Sequence, residues 1–278
     1  MRWLGLACLL LASTASAKSS NPAFLGVQMN DVGGRGTGPC MVSEITKDSS
    51  AEAAGLRSND IFISMDGRAI ANCDALVNQI QDKAPGDRVK IVVSRNTMSS
   101  VTVHATLLSR DEVLRKRFGG LPMPATRLVR VDDRREIDIS NESRQTTIIG
   151  WYPTSCAGCE QLFTKVAKWS REERRGGTAM PIKVAAATAG DTRMPRSIVD
   201  NLELLKGTSR LLDVPLLVTD DETYKHFTIG DTDRAQFMVI DCRGIVQYAA
   251  FVLPTADDQE AVLDELYAAA EQAARRMK

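Results

Sequence analysis

Two rhythms of apolar and polar residues divide the chain. Between residues 22 and 108 the apolar positions come in short alternating runs, the period-2 signature of half-buried strands. Such runs occupy Phe24 to Met29, Cys40 to Ile45, Asp60 to Met65, Arg88 to Ser94 and Ser100 to Leu107, the last two reading as a hairpin. Turn chemistry separates them: a Gly-rich loop from Val32 to Gly38, Asp66-Gly67, and Pro85-Gly86-Asp87. A helical turn is predicted from Ser49 to Ala54, closed by Gly55. A helix capped by Asn72 runs to about Lys83, with Leu76 and Ile80 on one face.

From residue 126 to 278 the pattern changes to apolar strands alternating with longer helical stretches. Strands are predicted over Thr146 to Tyr152, Ile182 to Ala187, Leu216 to Thr219, Phe237 to Ile240 and Ile245 to Phe251. Helices are predicted over Cys156 to Glu173, Arg196 to Lys206 and Asp257 to Met277. Alternation of this kind indicates a central sheet flanked by helices. Residues 109 to 125 read as a connection: a basic helical stretch, then Gly119-Gly120-Leu121-Pro122-Met123-Pro124, which breaks regular structure. No internal repeat is visible.

The first seventeen residues follow a third pattern. Arg2 precedes the apolar run Trp3 to Ala12, and Ala15-Ser16-Ala17 offers a small-residue cleavage site. This is the layout of a secretory signal peptide over residues 1–17, with a mature chain starting at Lys18. A bacterial periplasm, or secretion, is the expected destination. No later segment approaches the ~20 apolar residues of a spanning helix, so no membrane span is expected after signal removal. Charge is balanced, 35 basic against 35 acidic residues, which argues against nucleic acid as a partner. The basic clusters Arg115-Lys116-Arg117, Arg134-Arg135 and Arg171 to Arg175 read as solvated faces.

Of six cysteines, signal removal leaves Cys40, Cys73, Cys156, Cys159 and Cys242. An oxidising compartment permits disulfides, and an odd count leaves at least one thiol without an intramolecular partner. Cys156 and Cys159 stand directly after a predicted strand and at the start of a predicted helix. There the unpaired amides and the positive end of the helix dipole favour a thiolate. Cys156 is the expected nucleophile. Cys159, one turn on, is the expected resolving thiol that releases a mixed disulfide. A structural disulfide is the competing reading. Metal binding has little support, because four zinc ligands would need a second pair and only His104 and His226 stand beside distant cysteines. No metal and no cofactor are expected.

Residues 121 to 275 resemble the thioredoxin superfamily, in its thiol reductase and peroxiredoxin-like branch. The resemblance is carried by Leu121-Pro122-Met123-Pro124-Ala125, by Thr147 to Ser155 leading into Cys156-Ala157-Gly158-Cys159, by Val214 to Asp220, by Tyr224 to Gly230, and by Phe237 to Gly244. It implies a catalytic Cys156/Cys159 pair and a redox partner protein. Three positions depart from the family. Ser155 replaces a common tryptophan, Gly150 replaces the buried acid of thioredoxins proper, and Ala235 stands where the family holds a cis-proline. A non-proline cis bond costs about 2.5–4 kcal/mol, so the bond before Ala235 is expected to be trans. Copper delivery is disfavoured by Asp233, where that branch has a histidine. Peroxidase chemistry is disfavoured by the spacing in Pro153-Thr154-Ser155-Cys156.

Residues 24 to 107 resemble a PDZ domain of the bacterial HtrA type. The matching residues are Phe24-Leu25-Gly26-Val27, Met41 to Ile45, Ser50 to Leu56, Asn59 to Gly67 and Pro85-Gly86-Asp87. The resemblance implies that an extended peptide adds to the edge strand from Leu25 to Met29. Its terminal carboxylate would be cradled near Phe24, Leu25, Gly26 and Val27. Cys73 and Val77 of the helix after Asn72 would form the opposite wall, and an apolar-ended peptide is expected. Pairing of Cys73 with Cys40 stays open.

The expected architecture is therefore two domains. A PDZ domain over 22–108, mainly β with two small helices, is joined by a linker over 109–125 to an α/β thioredoxin-like domain over 126–278. The expected function is thiol-disulfide exchange on a client recruited by the PDZ groove. The alternative is a non-catalytic adaptor whose cysteine pair only braces the fold.

Overall fold

The computed structural model describes residues 21–33, 38–96, 99–139, 145–153, 156–175, 182–189, 214–229 and 234–276. The signal-peptide reading, the helix from Arg196 to Lys206, and Thr154, Ser155 and Asp233 lie outside the described residues.

The N-terminal elements are β1 (Ala23–Phe24), β2 (Val27–Asp31), β3 (Cys40–Ile45), α1 (Ser50–Ala53), β4 (Ile61–Met65), β5 (Arg68–Ala69), α2 (Cys73–Gln81), β6 (Arg88–Arg95), β7 (Ser99–Thr106) and β8 (Leu108–Ser109). One sheet runs β2-β3-β4-β6-β7, with β5 paired to β4, and β1 pairs separately with β8. Alternation along β6 buries Val89, Ile91 and Val93 against Val42, Phe62, Met65 and Leu76. Ser49 and Asn72 cap the two helices as their side chains predict, accepting from the amides of Glu52 and Ala75. Asp60, almost fully buried, is neutralised by Arg95 through Nε (2.8 Å) and a terminal nitrogen (2.6 Å). The single strand expected from Phe24 to Met29 is split into β1 and β2. Leu25 and Gly26 lie between them, and Gly26 has φ 87°, which ends the pleat.

The C-terminal elements are α3 (Arg110–Phe118), β9 (Arg127–Arg130), β10 (Glu136–Asp138), β11 (Thr147–Trp151), α4 (Cys159–Arg175), β12 (Lys183–Ala189), β13 (Leu216–Thr219), α5 (Asp221–Phe227), β14 (Ala235–Ile240), β15 (Val246–Val252) and α6 (Gln259–Arg275). The sheet order is β10-β9-β13-β12-β11-β14-β15. β11, β12 and β13 are parallel, and the outer pairings are antiparallel. Both faces are covered, so all six residues of β14 are buried. On one face Phe163, Val166, Leu263 and Leu266 of α4 and α6 pack on Ile148, Phe237 and Val239. On the other, α3 and α5 pack on Ile149, Trp151 and Met238.

Residues 109–125 are not a free connector. A capping box between Ser109 and Glu112 starts α3. Val113, Leu114 and Phe118 are then buried in the second domain's core. Basic residues fill the surface of this helix while its apolar residues serve the fold, and that mixture hid its role in the sequence. The β9–β10 hairpin and α5 were likewise not apparent as elements. Both are short, and their stability comes from the sheet and core they join.

Candidate functional site: a cysteine pair and a peptide groove

Cys156 and Cys159 form a disulfide with Cα atoms 5.6 Å apart. The pair sits just beyond the C-terminal end of β11, beside the start of β14. The expected helix start is corrected: α4 begins at Cys159, not Cys156. Gly158 has φ 85°, and its carbonyl accepts from the Gln161 amide, so residues 156–158 form a turn before the helix. The Cys156 amide donates to the Pro153 carbonyl. The positive helix end thus lies at Cys159, and Cys156 approaches it from outside. Both cysteines are buried, 2% and 0% exposed, within the α4–α6 core. An attacking thiolate therefore needs the turn to open.

One departure from the thioredoxin pattern, Gly150, is explained by the surroundings of the pair. A Cβ built on Gly150 would lie 2.3 Å from the Phe163 ring and 2.7 Å from Phe237. Those rings fill the space that a buried acid would need. Backbone before Ala235 is trans, since no cis peptide bond occurs among the described residues. Flanking the pair in sequence, Tyr152 and Glu160 are joined: the tyrosine hydroxyl donates to Oε1 at 2.6 Å. Burial, and then this carboxylate, hold the Tyr152 hydroxyl well above its usual pKa. Glu160 directly follows Cys159, and that adjacency was the available sequence signal for it. Cys242 sits apart in the β14–β15 turn, half-buried and unpaired. Among the described residues no group of three His, Cys, Asp or Glu side chains is placed to hold a metal ion.

The groove residues come together around β2, an edge strand whose outer side carries no partner strand among the described residues. Phe24, Leu25, Gly26 and Val27 form its entry loop. Ser50 Oγ donates to the Phe24 carbonyl, the Ala51 amide to that of Leu25 (2.8 Å), and the Thr46 amide to that of Gly26 (2.9 Å). With the carbonyls held from the α1 side, the amide edge of the loop faces the other way. Among the described residues no acceptor takes the amides of Leu25 or Gly26. A Cβ on Gly26 would lie 2.2 Å from Ser49 Cβ, so the close approach requires glycine. Val77 is exposed on α2. Cys73 is half-buried but has no free thiol: it is bonded to Cys40, with Cα atoms 4.6 Å apart. Its bridge ties the start of α2 to β3, and Asp31 Oδ1 accepts the Cys73 amide at 3.0 Å.

The two domains meet along α3. The Arg110 guanidinium lies 4.4 Å above the Phe24 ring. Asp111 is buried and accepts the Phe251 amide at 2.8 Å. Burial raises its pKa to about 6, although the Phe251 amide, Arg115 and Arg234 oppose the rise. Arg117 donates to the carbonyls of Lys47 (2.5 Å) and His226 (3.3 Å), one in each domain. It borders a cleft of about 970 Å³ whose walls include Gln28, Glu44, Tyr224 and His226. Burial lowers the His226 pKa, and Arg117 and Lys47 lower it further.

Residues 23–104 match the family model for the PDZ domain. No curated protein matches the chain significantly. Among solved structures, an HtrA-type protease AlgW with a decapeptide is 24% identical, with a TM-score of 0.30. That match covers 32% of this chain, which spans only 30% of the protease. A candidate thiol:disulfide interchange protein DsbE from Chlorobium tepidum is 16% identical over 55% of this chain and 97% of its own, with a TM-score of 0.40. A candidate protein disulfide isomerase from Bacteroides thetaiotaomicron is 11% identical over 54% and 87%, also at 0.40. No helix among the described residues is long and apolar enough to cross a membrane. With the edge strand, the entry loop and the strand order in view, residues 23–104 are assigned to the PDZ family, and the seven-stranded sheet that follows them carries a Cys-x-x-Cys disulfide.

Proposed function

We propose that the chain is a thiol-disulfide oxidoreductase of an extracytoplasmic compartment, with a PDZ groove that recruits its protein client or partner. The observation that carries this reading is the Cys156–Cys159 disulfide at the C-terminal end of β11, in a thioredoxin-like sheet. In exchange, a thiolate attacks one sulfur of a disulfide, a mixed disulfide forms, and the other sulfur leaves as a thiolate. Cys156 is the proposed nucleophile toward a client disulfide, and Cys159 the resolving thiol. The groove would hold the client's extended C-terminus on β2 and so raise the local concentration of its cysteines.

The test uses a chain starting at Lys18, reduced and mixed with a peptide disulfide ending in an apolar residue. Exchange should occur, and Cys159→Ala should accumulate a mixed disulfide through Cys156. Absence of both exchange and trapping would end the catalytic reading. A second reading, a non-catalytic adaptor with a structural bridge, is favoured by the burial of both sulfurs. The reduction potential separates the two: a value well below about −300 mV indicates a structural disulfide, and one between about −120 and −270 mV an exchanging pair.

A further inference from the structure

We propose that the oxidation state of the Cys156–Cys159 pair sets the peptide affinity of the PDZ groove, with α3 as the connecting piece. This inference rests on the groove reading above. Reduction breaks the Sγ–Sγ bond. Two electrons and two protons from an external dithiol convert the cysteines to thiols, and that dithiol becomes a disulfide. The two sulfurs must then move from bonding distance to van der Waals distance. Both are buried in a close-packed core, which cannot absorb the displacement in place.

The turn between the cysteines is the part that can yield, and it rests on the end of β15. A Cβ built on Gly158 would lie 3.2 Å from Cβ of Pro254. Three residues before Pro254, the Phe251 amide is held by the Asp111 carboxylate at 2.8 Å. Next to Asp111 on α3, Arg110 covers the ring of Phe24, the first residue of the groove's entry loop, at 4.4 Å. The backbone leading into α3 adds a second tie: the Leu108 amide donates to Ser50 Oγ, which donates to the Phe24 carbonyl. The loop has little slack, because Gly26 is already in contact with Ser49. The pair supplies two discrete states, and these contacts join them to the loop, as linkage between sites requires. The entry loop is fully formed with the disulfide closed, so the oxidised chain is assigned the higher affinity.

The test titrates a decapeptide with a C-terminal valine and a free carboxylate into four forms of the chain starting at Lys18. These are the oxidised protein, a Cys156→Ser/Cys159→Ser variant that keeps the Cys40–Cys73 bridge, and both in an Arg110→Ala background. Affinity should fall at least about threefold in the double-serine variant, and Arg110→Ala should remove most of that difference. Because linkage is reciprocal, saturating peptide should lower the reduction potential of the pair in the wild-type chain. A threefold difference converts to about 14 mV at ~29.6 mV per tenfold, read by alkylation and mass spectrometry of Cys156 and Cys159. Equal affinity in the oxidised and double-serine forms overturns the inference and leaves the groove intact. A difference that persists undiminished in Arg110→Ala overturns the route through α3. Binding to neither form overturns the groove reading and the inference together. Failure of exchange with the linkage present would instead strike only the catalytic reading.

Discussion

Replacing Asp111 with Asn should make the second domain more stable at neutral pH and leave it nearly unchanged near pH 4. The carboxyl is buried on α3, and burial raises its pKa from 3.8 to about 6. Between those values the folded state binds more protons than the unfolded state, so stability falls as pH rises. The contribution is fully present below about pH 4 and is lost as pH passes through 6. A shift of about two units at ~1.36 kcal/mol each corresponds to about 3 kcal/mol at pH 7.5 as an upper figure. Asparagine keeps an oxygen for the Phe251 amide, 2.8 Å away in the native chain, and removes the titration. Arg115 on α3, Arg234 before β14, Glu265 on α6 and Tyr248 on β15 surround the group. All four stay in the variant. The assay is urea unfolding at pH 4, 5, 6, 7 and 7.5, followed by tryptophan fluorescence on a chain starting at Lys18. That chain keeps only Trp151 and Trp169, both in the second domain. The difference between variant and wild type should grow from near zero to about 2–3 kcal/mol across this range. Parallel pH profiles would refute the reasoning.

Removing the Cys40–Cys73 bridge by paired serine substitution should lower the stability of the N-terminal domain by about 3–4 kcal/mol, from the entropy of a closed loop of this length. The two cysteines are 33 residues apart, and the loss is read by thermal unfolding with and without reductant. Gly150→Ala should cost about 1–3 kcal/mol in urea unfolding, because its Cβ would sit 2.3 Å from the Phe163 ring; an unchanged midpoint contradicts the packing account. Gly26→Ala should weaken binding of the C-terminal valine peptide at least about tenfold, or ~1.4 kcal/mol. Its φ of 87° and the 2.2 Å approach to Ser49 both disfavour a side chain, and the fluorescence of Trp151 and Trp169 should not change.

Local information alone reached far into this fold. Asn72 and Ser49 announced their helices through capping, and Asp66-Gly67 and Pro85-Gly86-Asp87 marked real turns. The apolar run Thr147–Trp151 was legible as a strand because burial on both faces demands it. Cys156 and Cys159 could be paired by spacing. Cys73 could be assigned to α2, but its partnership with Cys40 depends on β3 passing the start of that helix.

What the chain order and residue types determined by themselves were the two folds, the positions of most strands and helices, and the presence of a Cys-x-x-Cys pair after a strand. These follow from hydrophobic period, capping and turn chemistry, all short-range properties. Only the tertiary structure decided that Cys156 lies in a turn outside α4, and that both sulfurs are buried. It also decided that residues 110–118 serve the second core and touch the groove through Arg110 and Phe24. Such contacts join residues far apart in the chain, and no local pattern records which surfaces will meet.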